Sequence, residues 1–307
     1  MIQDRQKTLR RQYEFEGKGL HSGLRVRMNV APAPAGTGIR FLRKDIGDDA
    51  IIEAVADYVT YTQRGTTLEK GVVKVSTIEH LLSALWTLGV DNALITLDTF
   101  EVPILDGSAL PYAEAFAADG LEEQDAPRKY YTLSAPLYYR DEKTGAEVTI
   151  SPSDGFSVDL SIDYGSRVLG IQKAAYAAGT DYLKEIAPCR TFVFFHELEV
   201  LFKNNLIKGG DLENAVVIVE HPVPPEDLAR MAALFNVEKV ERVPEGYLDN
   251  VKLHFDNECA RHKLLDLLGD FALVGMRLKG HVTATRSGHR INTDVARILR
   301  KDILKHQ

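Results

Sequence analysis

The chain has 307 residues, 45% of them hydrophobic and 26% charged, and a formal net charge of −7. At roughly 100–200 residues per domain this length suggests two domains. The composition is that of an ordinary globular protein and excludes a disordered one. The acidic balance argues against a general nucleic-acid binder, although one basic pocket for a phosphate remains compatible with it. Cys189 and Cys259 are the only two cysteines, too few for a disulfide framework, and they fit a reducing compartment. Residues 1–13 mix acids, bases and glutamines without the apolar run of a secretory signal, and no stretch reaches the ~18 apolar residues of a membrane span. We expect a cytoplasmic protein and a monomer.

In chain order, the first element with evident chemistry is VSTIEHLLSALWTLG from Val75, read as a helix. Ser76 and Glu79 fit the S-x-x-E capping box, which gives Glu79 a structural role at the helix start. His80 follows in the first turn, where the helix dipole disfavours imidazolium and so favours the neutral ring that a metal needs. The run DNALITLD from Asp91 reads as a buried strand. ILDGSALPYAEAFAADG from Ile104 reads as a turn at Asp106-Gly107 followed by a short helix. The polar stretch LEEQDAPRK, 121–129, is the best domain boundary and divides the chain into 1–124 and 125–307.

In the second part, CRTFVFFHELEVLFKNNLIKGG from Cys189 carries an aromatic cluster, Phe192, Phe194, Phe195 and Phe202, before a Gly209-Gly210 turn. It suits a core, or an apolar channel for an acyl chain with Thr191 as a donor at its inner end, and we treat residues near 189–210 as an insert. The stretch HPVPPEDLARMAALFNVEKVERVPEGYLDN, 221–250, reads as a surface insertion. ENAVVIVE from Glu213 and RHKLLDLLGDFALVG from Arg261 echo DNALITLD and EHLLSALWTLG, a weak internal repeat with a histidine near each helix start. Interspersed strands and helices, with no GxGxxG or P-loop, predict an α+β fold of two similar sheet-plus-helix layers with antiparallel or mixed sheets.

His262, Asp266 and Asp270 are spaced i, i+4, i+8 and form one stripe on a leucine-rich helix. Buried carboxylates are costly unless cations or donors meet them, so each asks for a partner. A metal would satisfy Asp266 and a histidine from elsewhere Asp270; a solvent-facing polar stripe fits the same spacing. Together His80, His262 and Asp266 supply two nitrogens and an oxygen, the three-ligand set with a vacant fourth position found in catalytic zinc sites. Glu79 beside a ligand is then placed as a general base. The segment KGHVTATRSGH from Lys279 reads as a strand ending in a Ser287-Gly288 turn with His289 at its tip, either a surface histidine or an acid aimed into a cleft. His281 receives no role.

Taken together, GLHSG from Gly19, TIEHLLSAL from Thr77, PILDGSA from Pro103, CRTF from Cys189, RHKLLDLLGD from Arg261 and TRSGH from Thr285 make the chain resemble the UDP-3-O-acyl-N-acetylglucosamine deacetylases over most of its length. It is similar in particular to the Bacteroides-type members, which are often fused to a 3-hydroxyacyl-carrier-protein dehydratase for which 307 residues leave no room, so we expect either a stand-alone form or a truncated chain. The resemblance implies two α+β sandwich domains facing each other with the site between them. It also implies one zinc ion on His80, His262 and Asp266, though iron would accept the same donors. Glu79 would be the base, Thr191 and Lys263 would stabilise an oxyanion, and His289 held by Asp270 would protonate the departing amine. For the UDP-linked acylated amino sugar, it implies Lys263 and Lys143 at phosphate, Phe192 at the sugar, and Asp163 with Tyr164 at uracil. A departure from the family pattern is Gly65 in TQRGTTL, where many members have cysteine. A metalloprotease is disfavoured because HKLLD carries lysine where HExxH needs its base. A nucleotide-sugar binding protein without catalysis remains the alternative class.

Overall fold

The computed structural model describes residues 4–198, 212, 214–234 and 237–306. Its strands are β1 (Arg5–Leu9), β2 (Tyr13–Lys18), β3 (Arg25–Pro32), β4 (Ile39–Arg43), β5 (Ile51–Glu53), β6 (Val59–Tyr61), β7 (Thr67–Lys70), β8 (Val73–Ser76), β9 (Ala93–Leu97), β10 (Leu121–Pro127), β11 (Tyr130–Thr132), β12 (Leu137–Asp141), β13 (Ala146–Ser151), β14 (Phe156–Asp163), β15 (Ile171–Tyr176), β16 (Thr191–Phe194), β17 (Ala215–Ile218) and β18 (Arg277–Thr285). The helices used below are α1 (Glu79–Leu88), α2 (Leu110–Asp119), α3 (Tyr182–Glu185), α4 (Pro225–Leu234), α5 (Glu258–Ala272) and α6 (His289–Lys305).

Two principal sheets share one plan. The first runs β2-β3-β9-β4-β5 and the second β12-β13-β18-β14-β15, with β11 also beside β18. Each central strand, β9 or β18, has an antiparallel neighbour on one side and a parallel one on the other. Both sheets are therefore mixed, as the sequence predicts. The α1 and α5 helices also correspond as expected, each leading into a central strand.

The strand half of the repeat needs correcting. The counterpart of β9 is β18, whereas the run ENAVVIVE yields β17, which pairs in parallel with β16 in a separate two-stranded sheet. Apolar similarity alone marked both runs as buried strands without saying which sheet would take them. In β18 the inward positions are Leu278, Gly280, Val282 and Ala284, two of them too small to register as a hydrophobic run. Gly280 has to be small, because a Cβ there would lie 2.9 Å from Ile150 Cγ2. The polar stretch at 121–127 is likewise strand rather than free linker: β10 pairs antiparallel with β1, a ribbon with little buried surface, hence its polar sequence.

One hydrophobic core runs through both sheets and their helices. At its centre α1 lies along α5, while α5 also rests on β14 and β15 and α6 on β12 and β13. The insert after α3 has a small core of its own, joining Phe195, Val217, Val219, Met231 and Leu248. Helix α4 belongs to this unit, so the stretch 221–250 is partly buried in the insert rather than wholly at the surface. Phe202, Gly209, Gly210 and Glu213 lie outside the described residues. Among the described residues no helix is long and apolar enough to cross a membrane.

Candidate active site

The chain enters α1 through Thr77, whose φ of 57° is in the left-handed region. Glu101, wholly buried, holds that entry: its carboxylate accepts from Thr77 Oγ1 (2.9 Å) and from the backbone N–H groups of His21 and Ser22 (2.9 and 2.8 Å). One carboxylate thereby pins the GLHSG loop to the start of α1. Because the chain turns at Thr77, the expected capping box is absent. The N-cap position is Ile78 with no side-chain cap, and Glu79 instead accepts from Thr66 N–H at 3.0 Å. The structural role that the spacing offered Glu79 is thus not the one it has.

His80, in the first turn of α1, and His262 and Asp266 on α5 are all buried and converge. His80 Nε2 lies 3.6 Å and His262 Nε2 3.5 Å from Asp266 Oδ1, and one ligand atom from each residue lies within 4.8 Å of the others. His262 Nδ1 donates to the Cys189 carbonyl at 3.0 Å, which leaves the Nε2 lone pair directed at the cluster. Burial pushes His262 down to about 3, so its ring is neutral near pH 7. Asp266 Oδ2 accepts from Lys263 Nζ at 2.7 Å, but Oδ1 is buried without a hydrogen-bond partner. An unpaired carboxylate oxygen facing two imidazole nitrogens is costly unless a cation sits among them. The residues present therefore fit a divalent metal with three protein ligands and a position left for substrate or water.

Around this cluster lie two further acid–base groups. Glu79 Oε1 and His289 Nε2 are 3.9 Å apart, and His289 Nδ1 lies 3.0 Å from Asp270 Oδ2. His289 does not sit at the tip of a turn as the sequence suggests. It is the first residue of α6, which Gly288 precedes in extended conformation. Burial works against a charged imidazole there, but Asp270, Asp266 and Glu79 outweigh it and raise His289 to about 9. Burial likewise opposes the charges of Lys263 and Asp266. The two nevertheless favour each other's ionised form, lifting the ammonium above and holding the carboxyl well below their usual ranges.

The cluster opens into a cleft of about 460 Å³. Thr191, Phe192 and Tyr164 line it together with Glu79, His80, His262, Lys263, Asp266 and His289. Thr191 is fixed by its N–H to the Gly107 carbonyl (2.9 Å) at the expected Asp106-Gly107 turn. Phe192 carries Lys263 Nζ 5.5 Å from its ring centroid and meets Tyr164 edge-on at 5.7 Å. Asp163 is not among the lining residues; it pairs with Arg286 at 2.7 Å, and Arg286 does line the cleft. Lys143 is exposed beside the rim, its backbone N–H bonded to Asp141 Oδ1 (3.0 Å), while Asp141 and Thr144 line the wall. Gly65 lies against the site, a Cβ there being 3.0 Å from Glu79 Oε1.

Sequence reasoning passed over Thr66, Asn292 and Arg290. Asn292 stands one turn beyond His289 on the same helix and donates to Asp270 Oδ2 at 2.9 Å, a relation that helical spacing could have shown. Arg290 lines the cleft paired with Asp141 at 3.3 Å. Thr66, which also donates to Asp270 Oδ1 at 2.6 Å, has no periodic signal at all.

The family described as UDP-3-O-acyl N-acetylglycosamine deacetylase matches residues 6–240 and 226–301. A protein of Porphyromonas gingivalis named bifunctional enzyme LpxC/FabZ is 44% identical over 303 residues, covering 99% of this chain. This chain spans 66% of that longer relative, about two thirds of its length. A UDP-3-O-acyl-N-acetylglucosamine deacetylase of Acidithiobacillus ferrooxidans is 39% identical over 303 residues, covering 97% of this chain and 91% of the relative. One of the same name from Pseudomonas entomophila is 39% identical over 298 residues, 96% and 90% of the two chains. On these matches the chain belongs to the UDP-3-O-acyl N-acetylglycosamine deacetylase family.

Proposed function

We propose that this chain hydrolyses the N-acetyl group of UDP-3-O-(3-hydroxyacyl)-N-acetylglucosamine, releasing acetate, as the committed step of lipid A synthesis in the cytoplasm, with one zinc ion on His80, His262 and Asp266. The observation that carries the reading is the unpaired Asp266 Oδ1 facing two imidazoles at the head of a cleft, with Glu79 and His289 beside it. When bound, zinc supplies Lewis acidity, acidifying water and polarising a carbonyl oxygen.

Glu79 accepts a proton from the attacking water as its oxygen bonds to the acetamide carbon. Thr191 and Lys263 face the oxyanion that develops on the carbonyl oxygen. His289, protonated and held by Asp270, gives its Nε2 proton to the nitrogen as the C–N bond breaks, leaving acetate and a free amine. Phe192 and Lys263 border the space for the sugar and a phosphate. Tyr164, with Asp163 behind it, suits the uracil end, and Lys143 is a phosphate contact at the rim. The apolar wall formed by Val193, Phe194, Leu198, Leu212 and Val217 suits an acyl chain. The repeated sheet order supports reading 1–124 and 125–307 as two domains with the substrate between them, and we take the protein to act as a monomer.

The test is acetate release from the acylated UDP-sugar. It is expected to stop on chelation and to return with zinc. Release that ignores chelation, or no release from zinc-loaded protein, overturns the proposal.

A further inference from the structure

Thr66 is a wholly buried residue just before β7 that does not line the cleft. Its backbone N–H and its hydroxyl go to two different helices. The backbone N–H donates to Glu79 Oε2 on α1 (3.0 Å), and the side-chain Oγ1–H donates to Asp270 Oδ1 on α5 (2.6 Å). With Oε2 engaged, Glu79 turns its other oxygen, Oε1, towards His289 Nε2 at 3.9 Å. With Oδ1 engaged, Asp270 keeps Oδ2 for His289 Nδ1 (3.0 Å) and Asn292 Nδ2 (2.9 Å). Asn292 is itself oriented by Ser287 Oγ–H at its Oδ1 (2.7 Å). A hydroxyl has one proton, so the hydroxyl of Thr66 serves only Asp270.

We propose that Thr66 is a positioning residue that sets Glu79 and His289 in mutual register by binding the carboxylate of one and the carboxylate partner of the other. Two acid–base groups on separate helices otherwise depend on helix packing alone for their separation. A single residue bonded to Glu79 and to Asp270, the carboxylate that holds His289, fixes that separation at the scale of one peptide unit. Gly65 adds to this, its backbone lying close enough to Glu79 Oε1 that a Cβ would be 3.0 Å away. Deleting the hydroxyl frees one oxygen of a wholly buried carboxylate, which can then rotate and take His289 with it.

The inference rests on the proposed deacetylation, and the experiment separates the two. In zinc-loaded full-length protein, Thr66→Val is expected to lower kcat about ten- to a hundredfold. KM should stay within about twofold and zinc content should be unchanged, while Thr66→Ser should restore most of the rate. Should Thr66→Val not fold, Thr66→Cys replaces it: a thiol is a weak donor, so its kcat should fall about tenfold below that of Thr66→Ser. Independently of turnover, the downfield NMR signal of the His289 Nδ1–H proton should broaden or exchange faster in the Val or Cys variant and not in the Ser variant. If the parent releases no acetate, the functional reading fails and this signal alone decides the inference. A normal kcat, or a loss confined to KM, overturns it where the enzyme turns over. Equal behaviour of Ser and Cys, or an unchanged Nδ1–H signal, overturns it in either case.

Discussion

Gly269 of α5 meets Glu79 of α1 backbone to backbone: a Cβ on Gly269 would lie 2.0 Å from the Glu79 carbonyl oxygen and 2.8 Å from its carbonyl carbon. Glycine at this crossing lets the helix that carries His262, Asp266 and Asp270 approach the helix that carries Glu79 and His80. Gly269→Ala should therefore force the helices apart, at a cost of about 3 kcal/mol, the upper part of the range for overpacked cores. Urea unfolding measures the loss, and zinc affinity should fall with it. An Ala variant of normal stability and affinity would show that the crossing relaxes freely.

Glu79 touches no cap and its carboxylate faces the cleft. Glu79→Ala should keep its zinc and lose about two to four powers of ten in rate, the contribution of a general base. Metal analysis alongside single-turnover acetate release separates the two effects. Retention of most of the rate would return Glu79 to a structural role.

His262→Ala removes one of the three proposed ligands and leaves Asp266 facing His80 alone. Zinc and acetate release should be lost together, and equilibrium dialysis against a competing chelator measures the first. Unchanged zinc content would mean that the ligand set differs.

Two buried histidines make the stability of the metal-free protein depend on pH in opposite senses. His289, raised to about 9, favours the folded state fully below the unfolded value of about 6.5, and this contribution disappears as pH climbs through about 9. His262, lowered to about 3 by burial, costs stability progressively as pH falls below about 6.5. Denaturant midpoints of chelated protein should fall on both sides. In His289→Gln the alkaline fall between pH 6.5 and 9 should flatten while the acid fall remains, and an unaltered alkaline limb would contradict the assignment.

The stripe of His262, Asp266 and Asp270 was legible because its spacing is periodic. Carboxylates at 266 and 270 on a leucine-rich helix demand partners wherever that helix is buried. His289 was legible as a residue but not in its place. The helical spacing of Ile291, Val295, Leu299 and Ile303 behind it marks α6, and the Ser287-Gly288 turn signal masked that pattern. The capping box misled because the left-handed turn at Thr77 carries Ser76 away from the helix start, a backbone event that residue types do not announce. Thr66 was invisible for another reason: half of its contribution comes from a main-chain N–H, which every residue but proline possesses. The repeat was visible in its helices and misassigned in its strand, since a buried strand built on Gly280 and Ala284 looks less apolar than it is.

His80 belongs to the helix preceding β9, and His262 with Asp266 to the one preceding β18, so an ion held by these three would be shared across the seam between two matched layers. A hinge opening along that seam would pull the ligands apart and release the ion. On the proposed function, substrate would then have to enter at the rim, past Phe192 and Phe194, without the seam opening.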